Sequence, residues 1–124
     1  MQFASIRIIT DDVERLAAFY ERITGQQAER TGGVFAQLRG DGLALAIGSV
    51  RTVAMLQPGS ATPASNRSVI VEFLVDDVDA EFERLRADLD EIVLEPTTMP
   101  WGNRSLLIRD PDGNLVNIFS RPAD

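Results

Sequence analysis

The chain has 124 residues, enough for one domain or for two small repeats sharing a core. Apolar residues at 44% and charged residues at 25% are the balance of a globular protein, and a net charge of −7 argues against the clustered cations that nucleic acid demands. With no cysteine, no histidine and no lysine, the chain has no disulfide, thiolate metal site, cysteine nucleophile, serine triad or lysine Schiff base.

In chain order, residues 3–9 alternate, with Ile6 and Ile8 on one face and Ser5 and Arg7 on the other, which predicts a half-buried strand. Asp11 opens a helix, with Glu14 at capping-box spacing. Val13, Leu16, Ala17, Tyr20 and Ile23 fall on one helical stripe and are expected in the core, and Gly25 is the stop. Three short strands follow at 27–31, 34–39 and 43–48, turned by Gly32-Gly33 and Gly40-Asp41-Gly42. Residues 57–67, rich in proline, glycine and small polar residues, read as a linker.

The second half repeats the plan. A strand at 69–75 leads into a helix that starts at Asp76 or Asp77 and buries Val78, Phe82, Leu85 and Leu89. Strands at about 91–95, 104–109 and 115–120 complete it, the last two joined by the turn Asp110-Pro111-Asp112-Gly113-Asn114. The fold class is α+β: two tandem βαβββ repeats, about 1–56 and 68–124, forming a curved mixed sheet around a cavity within one domain.

On Asp12-Val13-Glu14 with Phe19-Tyr20, Val75-Asp76-Asp77-Val78-Asp79-Ala80, and Trp101-Gly102 followed by Asp110-Pro111-Asp112-Gly113-Asn114-Leu115, the chain resembles the vicinal-oxygen-chelate superfamily. That superfamily includes glyoxalase I, extradiol dioxygenases, fosfomycin-resistance enzymes and bleomycin-binding proteins. The resemblance implies four equivalent strand positions for metal ligands, often histidine and glutamate. Counting from the motifs puts them at Ser5, Ala46, Ile70 and Asn117, a set that cannot hold a divalent ion. No metal and no cofactor is therefore expected.

What remains for binding is polar and aromatic. Arg7 and Glu72 occupy equivalent positions in the two repeats, where they either orient a ligand or form a salt bridge. Trp101, Gln37, Arg104 and Asn117 are further candidates beside Ser5 and Ile70, and Phe35, Leu74, Leu106 and Phe119 are candidate apolar walls. The expected function is metal-free binding of an organic ligand, sequestered or carried, with the acidic charge favouring a cationic or antibiotic-like one. The alternatives are a lyase, isomerase or dioxygenase with a non-standard site, and an accessory module with a vestigial cup. The resemblance implies a homodimer. Met1-Gln2-Phe3-Ala4 lacks the character of a signal peptide, and no apolar run approaches the roughly 20 residues that span a bilayer, so a cytoplasmic, membrane-free protein is expected.

Overall fold

Strand and helix alternate because the apolar period switches between two and about 3.6 along the chain. A computed structural model describes residues 1–123 and divides the chain into two compact units, Met1–Ser65 and the residues from Asn66 onward.

The first unit runs β1 (Ser5–Thr10), α1 (Val13–Thr24), β2 (Glu29–Thr31), β3 (Phe35–Arg39), β4 (Ala44–Ser49) and α2 (Val50–Leu56). Its four strands lie in the order β1-β4-β3-β2. β1 runs parallel to β4, and the other neighbours are antiparallel. The register puts Ile6, Ile8, Leu45, Ile47, Ala36 and Leu38 on one face, which α1 covers. Val13, Leu16, Ala17, Tyr20 and Ile23 are all buried on α1, as their spacing predicts. Leu16 is fully buried, so removing it should cost about 2–5 kcal/mol. The helix cap is Asp12 rather than Asp11: its carboxylate accepts from the Arg15 N–H at 3.0 Å. Gly25 ends the helix at φ 72°, with its N–H bonded to the Glu21 carbonyl, a backbone conformation that glycine adopts without Cβ strain.

The second unit runs β5 (Val71–Leu74), α3 (Val78–Leu85), a single 3₁₀ turn (Arg86–Asp88), β6 (Ile92–Thr98), β7 (Arg104–Arg109) and β8 (Leu115–Ser120). Its four strands repeat the same order, β5-β8-β7-β6, again with one parallel pair at the β5 edge. Val71, Phe73, Val116, Ile118, Leu106 and Ile108 share the face toward α3, whose buried residues are Val78, Phe82 and Leu85. Leu89 lies beyond the helix and is half-buried, because the chain leaves helical geometry at the 3₁₀ turn. β6 runs on to Thr98 past Pro96; as an edge strand it accommodates the missing N–H, and its register shifts between Leu94 and Thr97.

Both halves are thus α+β units built on the βαβββ plan, each with one face covered by its longer helix; in the first unit α2 also packs on β4 and β1 near Gly48. The helix α2 was not anticipated from sequence. Ser49 caps it by accepting from the Arg51 N–H at 3.1 Å, and Gln57 closes it, which leaves residues 57–67 without helix or strand. Among the described residues no helix is long and apolar enough to cross a membrane.

Candidate functional site

In a half-covered sheet, alternation sends every second side chain to the face without the long helix. In the first unit that face carries a row across four strands, Arg7–Ala46–Gln37–Glu29, one register step per strand. Glu29 is engaged twice there, by the Arg39 Nε–H at 3.1 Å and by the Gln37 side-chain amide at 3.4 Å. Arg7 has no carboxylate within ion-pair distance among the described residues. Its guanidinium instead sits 5.5 Å from the centroid of the Phe35 ring. The path to that ring crosses β4 at Gly48, the register partner of Phe35. A Cβ at Gly48 would meet Thr52 Oγ1 at 2.9 Å and Arg7 Cδ at 3.1 Å. Glycine at this position therefore lets α2 and the arginine stem both lie close against the strand. Thr52 is held in turn by donating its hydroxyl to the Ser49 carbonyl at 2.6 Å.

In the second unit the equivalent row is Glu72–Asn117–Leu107–Leu94. The Asn117 side-chain amide donates to Glu72 Oε2 at 2.8 Å. The Asn117 carbonyl oxygen, Oδ1, is buried and has no hydrogen-bond partner. Leu115 and Phe119 stand on the same face of β8, with Leu107 between Ser105 and Arg109 on β7, and Leu74 on β5. Leu74 is 52% exposed, unusual for an apolar strand residue, so this face is open at its β5 edge, while Leu107, Leu115 and Phe119 are half-buried. An acceptor in an apolar setting without a donor costs roughly 1–3 kcal/mol.

The remaining candidates scatter. Ser5 begins β1 on the open face, exposed, and pairs in register with Ala44 rather than Ala46. Ile70 precedes β5 and is exposed, so it belongs to no strand row. Trp101 is 70% exposed at the tip of the β6–β7 hairpin, closed by the Met99 N–H bonding the Asn103 carbonyl and the Gly102 N–H bonding that of Met99. Arg104 lies on the α3 side of its sheet. It forms two bonds to Asp79, at 2.7 and 2.9 Å, and a third to Thr98 at 3.2 Å. The two bonds between Arg104 and Asp79 hold the Asp79 carboxyl below its ordinary range and raise the arginine. Arg104 thus ties a helix to its sheet. Leu106 is likewise core, fully buried against α3, whereas Phe35 and Phe119 are half-buried on the faces without the long helix.

The rows also test the metal expectation. The strands beside Ala46 and Asn117 present Arg7 and Glu72 in register, not Ser5 and Ile70. Neither row fits a divalent cation: the second unit's sets one carboxylate beside one neutral amide, and the first unit's sets a guanidinium beside a methyl group. Among the described residues no group of three histidine, cysteine, aspartate or glutamate side chains is arranged to hold one. Sequence reasoning missed Gly48, beside which the Arg7 stem and Thr52 of α2 both lie. Ser49 before an apolar run was the available signal.

Comparison with known proteins agrees with this architecture. A structure from Nocardioides described as a glyoxalase/bleomycin resistance protein/dioxygenase is 25% identical, with a TM-score of 0.79, over 98% of this chain and 84% of that one. A glyoxalase/bleomycin resistance protein/dioxygenase family enzyme from Burkholderia phytofirmans PsJN superposes with a TM-score of 0.84 at 20% identity, over 97% of this chain and 98% of the other. A glyoxalase-related enzyme from Fulvimarina pelagi gives a TM-score of 0.82 at 22% identity, over 98% and 88% of the two chains. At those two lower identities the likeness speaks for the fold alone. No curated protein matches closely enough to count as a relative. The family model for the Glyoxalase/Bleomycin resistance protein/Dioxygenase superfamily matches residues 2–118, and with both units built on the same βαβββ plan the chain belongs to that superfamily.

Proposed function

We propose that this protein binds a small organic molecule without a divalent metal and serves to sequester or carry it. The observation that carries the reading is the Glu72–Asn117 pair. A carboxylate, held by an amide whose own acceptor lacks a donor, stands on an open apolar face. Such a face offers a ligand both apolar area and the exposed Glu72 carboxylate as acceptor, so the fitting ligand brings hydrogen-bond donors on an apolar body: an amphipathic cation or an amide. The acidic balance of the chain, −7, draws cations in the same direction. The reading also includes a homodimer in the cytoplasm, for which light-scattering mass and cell fractionation are the checks.

The experiment is a titration with benzamidine, then with a panel of cationic antibiotics, read by the NMR signals of the Asn117 side-chain amide. A saturable shift lost in Glu72→Gln supports the proposal. One tightly held divalent ion per purified chain, found by metal analysis, defeats it, as does a shift that survives Glu72→Gln.

A further inference from the structure

The first unit's face has the opposite chemistry to the second's. Glu29 there is already engaged by Arg39 and Gln37, whereas Arg7 faces no carboxylate among the described residues. Arg7 is exposed and lies along β4 toward β3. Its stem lies at the Gly48 position, where a Cβ would come within 3.1 Å of its Cδ, and its guanidinium is over the Phe35 ring. A cation–π approach at 5.5 Å uses no N–H donor of the guanidinium. Those donors match a carboxylate in bidentate geometry. The side chains that flank it on β4, Ala44 and Ala46, are short and Gly48 has none, so no bulky β4 side chain stands over the fork.

We infer that the first unit carries an oxyanion site in which Arg7 grips the carboxylate of an organic acid, with Phe35 as its platform. This rests on the reading of the protein as a binder, but uses residues that reading does not invoke. The shape of the acid beyond its carboxylate is set by what packs beside Phe35, an aromatic surface, so an unsaturated or aromatic acid is the class expected.

Benzoate and benzamide share a shape and differ in charge, which makes them the probes. Arginine Nε–Hε NMR signals, assigned by substitution, report on each guanidinium separately. Benzoate should shift the Arg7 signal saturably, while benzamide leaves it in place. Arg7→Gln should weaken benzoate binding by about tenfold or more, and Phe35→Leu, which keeps the charge, should weaken it by a smaller factor. Circular dichroism of both variants should match the parent. Equal binding of the two probes, an unchanged benzoate affinity in Arg7→Gln, or a shift spread equally over Arg51, Arg67 and Arg121 overturns the inference. Failure of benzamidine to move the Asn117 amide defeats the function proposed above but leaves this site standing. Failure of benzoate at Arg7 does the reverse.

Discussion

Replacing Asn117 with leucine should make the protein more stable. The wild-type side chain carries an acceptor that is buried and unpartnered, a deficit of roughly 1–3 kcal/mol. It also makes one bond, 2.8 Å to Glu72. Glu72 is exposed, so water replaces that donor when it goes, and the loss is about 1 kcal/mol or less. Leucine is close to asparagine in length and would meet Leu107, Leu115 and Phe119 on the same face. The net expectation is a gain of about 1 kcal/mol, or about 4 °C in Tm for a chain this size. Urea unfolding followed by far-ultraviolet circular dichroism measures it, with an unchanged m-value as the condition for comparing midpoints. Benzamidine binding should disappear in the same variant, so stability and function move in opposite directions, the pattern expected when a binding group is kept at a cost to folding. A variant destabilised by more than about 1 kcal/mol would refute the reasoning. Asn117 would then be an ordinary structural residue whose acceptor is satisfied.

Two further predictions concern the scaffold. Asp110 is 4% exposed and its carboxylate accepts from the Asp112 and Asn114 N–H groups and from the Asn114 side-chain amide; Asp110→Ala should therefore destabilise by about 3 kcal/mol or more, measured by chemical denaturation, and a loss under about 1 kcal/mol would mean the turn holds without it. Arg30 bonds both Glu14 and Glu21, which lowers both carboxyls, Glu21 to about 2. Because the folded values lie below the ordinary 4.5, this contribution is complete above about pH 4.5 and fades as pH falls toward about 2. Arg30→Gln should flatten the acid limb of the stability–pH curve over that window, and parallel curves for the two proteins would show that the cluster is without thermodynamic weight.

Local signals in the chain reached most of the scaffold. The α1 stripe from Val13 to Ile23, the stop at Gly25 and the strands at 104–109 and 115–120 follow from period, cap and turn chemistry, which act between near neighbours. The absence of histidine and cysteine, with Ala46 and Asn117 after the glycine turns, was equally readable without coordinates. Helix ends were less so: two adjacent aspartates can each cap, and only the bonds to Arg15 and Ala80 chose Asp12 and Asp77. α2 was missed because seven residues carry too little periodic signal to stand apart from a loop.

The side of the sheet on which a polar residue ends is a tertiary matter. Arg104 looked from sequence like a ligand group, yet the register of β7 turns it to α3 and Asp79. Arg7 and Arg39 are both strand arginines of the first unit, but strand pairing places Glu29 beside Arg39 and leaves Arg7 over Phe35. Alternation along one strand determines which residues share a face. Only pairing with its neighbours determines what charge waits there, because cross-strand partners lie far apart in the chain and no short-range pattern encodes them.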